Sequence, residues 1–161
     1  MSTTLVRVDD RLLHGQVLLG WAAAFAPQRI LLAHDEVAGD AERRSLYLSL
    51  AEGDYEIAVE RVDAAAAALA LAVTPRTLCV VGSAADARRL VELGAPVRSI
   101  QLGGMHHRAG TKRLLDYIYL SAQDAGDLRW LLERGVTLEG HDLPGARRVP
   151  VDGAALARLW P

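Results

Sequence analysis

Residues 4–26 read TLVRVDDRLLHGQVLLGWAAAFA. The first part, TLVRVD, alternates in the manner of a β-strand. The last part, GQVLLGWAAAFA, has the apolar density and length of a helix. A strand that hands over to a helix within a few residues opens a βα unit, and the unit recurs along the chain. RILLAH (29–34) is followed by a helix through AERRSLYLSLA (41–51), and YEIAVE (55–60) by VDAAAAALALA (62–72). RTLCVVG (76–82) is followed by SAADARRLVELG (83–94). RSIQLG (98–103) leads through a glycine-rich loop to DYIYLS (116–121), the helix AQDAGDLRWLLERG (122–135) and the strand VTLEG (136–140). This alternation predicts an α/β fold, an open and mostly parallel sheet with helices on both faces, formed as a single domain over residues 1–161.

Local signals fix the boundaries. Ser83 with Asp86, and Ser121 with Asp124, have the spacing of helix-starting capping pairs, with Asp replacing the usual Glu or Gln. Gly94 and Gly135 fall where helices end. Gly20 is the weak point of the first helix, since a mid-helix glycine costs about 1 kcal/mol that packing must offset. That helix is apolar on nearly every side, so it is deeply buried or covered in part by a partner. The alanine run 64–68 is helix interior, and no linker, repeat or low-complexity tail interrupts the chain.

Composition narrows the function. With 161 residues, 51% hydrophobic and 24% charged, the chain can bury a substantial core. A net charge of −2 offers no basic field for nucleic acid or anionic lipid, and 5% aromatic residues leave little to stack on bases. No apolar run reaches the roughly 20 residues of a membrane helix, and MSTTLVRVDD lacks a charged-then-apolar leader, so a cytoplasmic protein is expected. The single cysteine, Cys79, rules out an internal disulfide and lies in an apolar strand, where a buried structural thiol is expected.

In open parallel sheets ligands gather beyond the carboxyl ends of the strands. The first strand delivers Asp9, Asp10, Arg11 and His14 to that edge, immediately before a helix start whose N–H groups suit a phosphate. Arg11 supplies a planar fork for phosphate oxygens, and an imidazole can itself take a phosphoryl group. Asp9 or Asp10 would fix its tautomer by accepting from one ring N–H. On residue types alone, a salt-bridged and capped turn explains the same cluster. A second cluster, LGGMHHRAGTKR (102–113), has glycines and a lysine but not the spacing of an ATP-binding phosphate loop. An accessory anion loop or a plain solvated loop fits it. The five histidines (14, 34, 106, 107 and 141) show no metal-binding spacing, although His34 and Asp35 end the second strand. No metal or other cofactor is expected, and no GxSxG elbow supports a serine hydrolase.

VRVDDRLLHGQV (6–17) resembles, without a gap, the opening motif of the IIB components of the mannose/fructose/sorbose-type sugar phosphotransferase system (PTS). RILLAHDEVAGDAERRSLYLSLA, IQLGGMHHRAGTKRLLDYIYLS and GVTLEGHDLP extend the likeness more loosely to the rest of the chain. The resemblance implies a phosphohistidine carrier. His14 would accept a phosphoryl group on Nδ1 from a phosphohistidine of a IIA partner. It would pass the group to a sugar imported through the membrane components IIC and IID. Arg11 would steady the phosphate together with Gly15 and Gln16, and Asp10 would be its acidic neighbour. Other sugar-type IIB components carry the phosphate on cysteine, which agrees with a buried, non-catalytic Cys79.

Two departures from the family pattern stand out. Relatives often carry an arginine after the late strand, where this chain reads EGHDLP and places His141. The segment MHHRAG also differs, so His106, like Asp9 and His141, is an accessory candidate. The departure at 141 keeps open an alternative, a regulatory phosphoprotein in which phosphorylation of His14 signals without sugar transfer.

Overall fold

Parallel strands buried on both faces should read as unbroken β-branched and aliphatic runs, and RILLA and TLCVV do so. The computed structural model describes residues 4–53 and 55–161. Residues 1–3, the start of the stretch read as lacking a leader, lie outside the described residues. The chain opens with β1 (Thr4–Asp9), a π-helical segment (Gln16–Trp21) and its continuation α1 (Ala22–Phe25). Next come β2 (Arg29–Ala33), α2 (Asp35–Gly39), α3 (Ala41–Leu48) and β3 (Glu56–Glu60). They are followed by α4 (Val62–Leu69), β4 (Thr77–Val81), α5 (Ala84–Glu92) and β5 (Ser99–Gly104). The chain then forms β6 (Lys112–Leu115), β7 (Ile118–Leu120), α6 (Ala122–Glu133), β8 (Thr137–Gly140), β9 (Val149–Pro150) and α7 (Gly153–Leu159).

The main sheet has seven strands in the order β3-β2-β4-β1-β5-β8-β9, and all its pairs are parallel except β8 with β9. Val6, Val8, Cys79, Val81, Ile100 and Leu102 face one core, closed by α4, α5, α6 and α7. Ile30, Leu32, Leu78 and Val80 face a second core, closed by Val17 and Trp21 of the π-helical segment and by the first turns after β1. The fold is the expected open α/β sheet in a single domain. Among the described residues no helix is long and apolar enough to cross a membrane.

The capping pairs behave as their chemistry requires. Ser121 and Asp124 form a reciprocal capping box at α6. Ser83 accepts from the Asp86 N–H, while the Asp86 carboxylate turns to Arg89 at 3.3 Å. Gly94 and Gly135 have φ of 90° and 78°, the left-handed conformation in which a glycine ends a helix without strain.

Several elements differ from the expectation. The helix predicted over 15–26 begins as a π-helix, in which the N–H of Ala22 bonds to the carbonyl of Val17. The predicted strand 116–121 shortens to β7, which pairs antiparallel with β6 as a separate ribbon. That ribbon is stitched to the end of β5 through Met105, which bridges to Ile118. α2, β6, β9 and α7 were not anticipated; they are short, or end the chain beyond the last strong apolar run.

Chain direction singles out one edge. From β1 the chain leaves toward β2, and from β5 it leaves toward β8 on the opposite side of the sheet. Adjacent strands whose connections diverge leave a crevice at their carboxyl ends, where ligands of such sheets bind. The register of β1 against β5 shifts between Val8 and Asp9, so that Asp9 pairs with Gly104. The stretch containing His14 emerges there.

Candidate active site

Strand alternation sends Leu5, Arg7 and Asp9 to one face of β1 and Val6 and Val8 to the other. Arg7 and Asp9 are both fully buried, and Arg7 Nη2 lies 3.5 Å from Asp9 Oδ2. The guanidinium donates to the main-chain carbonyls of His141 (2.7 Å) and Asp142 (2.9 Å) and lies 4.9 Å from the centre of the Trp21 ring. Burial lowers the pKa of Arg7, and the adjacent Asp9 opposes that shift. No side chain fits at Gly103, where a Cβ would stand 2.0 Å from the guanidinium carbon of Arg7. Gly104 gives Asp9 similar room, with a Cβ there 3.0 Å from Oδ1.

After Asp9 the chain turns sharply. Leu12 adopts φ 61°, unusual for a branched residue and costing about 1–2 kcal/mol. Burial of Leu12 and Leu13, worth about 1.5–3 kcal/mol each, offsets it. Gly82 makes the room, because a Cβ there would press on Leu12 and His34 at 3.1 Å. This turn folds His14 back over Asp9, with Nε2 2.9 Å from Oδ2.

The hydrogen bonds fix the ring. The main-chain N–H of Gln16 can only donate, and it points at Nδ1 from 3.3 Å. Nδ1 therefore holds the lone pair, and Nε2 carries the proton donated to Asp9. The His14 side chain is 18% exposed and that of Arg11 41%. Arg11 donates to Gln16 Oε1 at 2.8 Å, and its Nε lies 3.6 Å from Asp9 Oδ1. A nucleophilic nitrogen, a half-exposed guanidinium and a helix start thus share one small patch. Gly15 also borders an open, mostly apolar groove of about 740 Å³ lined by Leu18, Leu19, Ala22, Leu50 and Tyr55. The first helix is buried through Val17 and Trp21, while Leu19 is 81% exposed. Its Gly20 packs beside Pro144, which a Cβ would meet at an ordinary 3.6 Å.

The other candidates lie as follows. Asp10 turns to His106, accepting from its main-chain N–H and meeting Nδ1, both at 2.6 Å. Of the two aspartates it is Asp9 that reaches the His14 ring, because alternation points Asp9 inward. His107 packs edge-on to Tyr119, away from this cluster. His141 is 2% exposed, edge-on to Trp21 at 4.6 Å, with Nδ1 3.4 Å from Gln101 Nε2. Cys79 is buried at mid-sheet with its thiol pushed up to about 12, in keeping with a structural role. Among the described residues no three His, Cys, Asp or Glu side chains gather as a metal site. Sequence reasoning missed Arg7 and Gly103. Two signals pointed to them: Arg7 stands two residues before Asp9, on the same strand face, and a glycine pair ends the neighbouring strand.

The family described as "PTS system sorbose subfamily IIB component" matches residues 3–157. The fructose-specific EIIB component of Bacillus subtilis (strain 168) is 30% identical over 149 residues, spanning 89% of this chain and 90% of that protein. The mannose-specific EIIAB component of Escherichia coli (strain K12) is 31% identical over 144 residues, covering 86% of this chain but 44% of the relative. The crystal structure of the N-acetylgalactosamine-specific IIB component 1 from Escherichia coli superposes with a TM-score of 0.85 at 27% identity. It covers 92% of this chain and 98% of that one. With the β1 edge, the open sheet and nearly the full length in common, the chain belongs to the sorbose/mannose-type family of PTS IIB components.

Proposed function

We propose that this IIB component is a phosphohistidine carrier. His14 receives a phosphoryl group from a IIA partner and passes it to a sugar entering through the membrane components IIC and IID. The observation that carries this reading is the state of the His14 ring: Nε2 is held by Asp9, and Nδ1 is left unprotonated with a lone pair that the Gln16 N–H approaches at 3.3 Å. In the first step the Nδ1 lone pair attacks the phosphorus of the donor phosphohistidine. An N–P bond forms on His14 as the donor N–P bond breaks, and the donor imidazole leaves with the bonding pair. The ring of His14 then carries positive charge, which the Asp9 carboxylate offsets through the bond it already accepts. Phosphoryl transfer asks mainly for alignment and charge stabilisation, so no metal is required between two histidines.

Arg11 is the clamp for the phosphoryl oxygens. Its exposure, with one hydrogen bond to Gln16 and a looser 3.6 Å pairing to Asp9, leaves it able to turn toward them. The Gln16 N–H, which points at Nδ1 before transfer, is released when Nδ1 takes the phosphoryl group and, with the Gly15 N–H, supports the same anion. Asp10 acts as a loop tie through His106, and His106 is an accessory neighbour of the phosphate. The relative named EIIAB, of which this chain covers less than half, supports IIA as the donor. The apolar groove beside Gly15 suits a transient protein contact of modest area. The protein would work in the cytoplasm against the membrane components.

Incubation with a phosphorylated IIA domain tests the reading. An acid-labile adduct should form on the wild-type chain and be absent from His14→Ala. Equal labelling of His14→Ala would sink the assignment.

A further inference from the structure

The two arginines that flank Asp9 differ in one respect that bears on transfer. Arg11 is 41% exposed and touches the buried Asp9 only at 3.6 Å through Nε, whereas Arg7 is 0% exposed and fixed from three sides. Its guanidinium bonds the carbonyls of His141 and Asp142, faces Asp9 and lies against Trp21. The indole N–H of Trp21 donates to the same Asp142 carbonyl at 2.9 Å, which locks that carbonyl in place. On the remaining side Gly103 leaves only the width of the guanidinium.

We infer that Arg7 is a positioning residue for the reaction of His14: anchored on two main-chain carbonyls after β8, it holds Asp9 against His14 Nε2 throughout transfer. This rests on the carrier reading of His14. When a phosphoryl group arrives, Arg11 turns outward to its oxygens and its hold on Asp9 weakens. Arg7 has no such freedom, so Asp9 keeps a cationic neighbour and stays aimed at the ring. The segment after β8 thereby serves the site through its backbone. The path of the chain at 141–142 counts for more here than the side chain at 141.

The test compares Arg7→Lys, Asp9→Asn and the double variant, each checked for folding by thermal unfolding. Two quantities are read: the rate of label uptake from a phosphorylated IIA domain, and the His14 tautomer from ring ¹⁵N shifts. A lysine cannot span Asp9 and two carbonyls at once. Arg7→Lys should therefore slow uptake about 10- to 100-fold and leave His14 as a mixture of tautomers. In the Asp9→Asn background the same change should slow uptake no further, because Arg7 acts through Asp9. Wild-type uptake with an unmixed tautomer in Arg7→Lys, or slowing that multiplies in the double variant, overturns the inference. If Arg7→Lys does not fold, the wild-type protein decides. On phosphorylation its Arg7 side-chain ¹⁵N signals should stay in place while those of Arg11 move, and the reverse refutes the proposal. Absence of label on wild-type protein would count against the carrier reading, whereas the tautomer in unphosphorylated Arg7→Lys still judges the hold of Arg7 on Asp9.

Discussion

β1 and β2 end at the same edge of the sheet, each followed by a histidine and an aspartate, yet the two edges differ in what holds the histidine ring. After β2, His34 begins α2 and its Nδ1 accepts from the N–H of Val37. Asp35 accepts from the N–H of Val62 at 2.9 Å and pairs with Arg89 at 2.9 Å and Arg61 at 3.7 Å. Those groups knit α2, α4 and α5 together. After β1, Asp9 is sealed inside the protein and spends its oxygens on Arg7, Arg11 and His14. The result is an imidazole whose Nε2 is tied to a buried carboxylate, while its Nδ1 accepts the Gln16 N–H at 3.3 Å much as Nδ1 of His34 accepts that of Val37. Residue types at a strand end do not mark a site; what sets His14 apart from His34 is the buried carboxylate that orients its ring.

The comparison is broken most directly by exchanging the two histidines' roles in an experiment. His14→Ala should lose the acid-labile label entirely while keeping its fold. His34→Ala should be labelled as wild type and lose about 0.5–2 kcal/mol of stability, the worth of a helix cap, measured by urea unfolding. The two aspartates come next. Asp9→Asn should slow label uptake by about 100-fold or more, because the ring loses its fixed tautomer. The same variant should lose about 3–5 kcal/mol, since it strands the buried Arg7. Asp35→Asn should leave uptake unchanged and destabilise by no more than about 1–2 kcal/mol.

A smaller effect is expected at Arg11. Arg11→Ala should slow uptake about 10- to 100-fold through loss of the phosphate clamp, with a melting temperature close to that of wild type. Global unfolding of that variant would make Arg11 a structural residue like those after β2. The smallest effect is one of pH. The Val62 N–H, and after it Arg89, hold the Asp35 carboxyl below its ordinary 3.8. The folded chain therefore binds fewer protons there than the unfolded chain. That contribution to stability is present above about pH 4 and fades as pH falls through the lowered value. Urea unfolding at a series of acid pH values should show a shallower acid-side loss in Asp35→Asn than in wild type.

Much of this was legible before any coordinates, for physical reasons that can be named. The buried parallel strands betray themselves as aliphatic runs, and Ser121 with Asp124 announces a helix start by chemistry alone. The long motif around His14 identified the family, and it supplied the nitrogen on which the proposed function rests. Arg7 was illegible because an arginine in a strand reads as a solvated side chain. Its burial depends on two carbonyls more than a hundred residues away and on a glycine in the next strand. The choice between Asp9 and Asp10 needed the actual turn at Leu12, whose left-handed backbone has no glycine or asparagine to signal it. The π-helix was hidden as well: Gln16–Trp21 has ordinary helical composition, and its Trp21 is anchored on the distant Asp142 carbonyl.

The position of β1 in the middle of the sheet has a consequence for how the protein comes into being. β1 is synthesised before its partners and finds them only in β4 and β5, within residues 77–81 and 100–104. The clamp on Arg7 comes later still, from residues 141 and 142. Pairings so distant along the chain form late, after the entropy of closing large loops has been overcome. A nascent or truncated chain can thus display the whole motif and still lack an oriented histidine. On the proposed carrier function, competence for phosphorylation becomes a property of the finished molecule, and labelling of the ring would report that folding has reached its end.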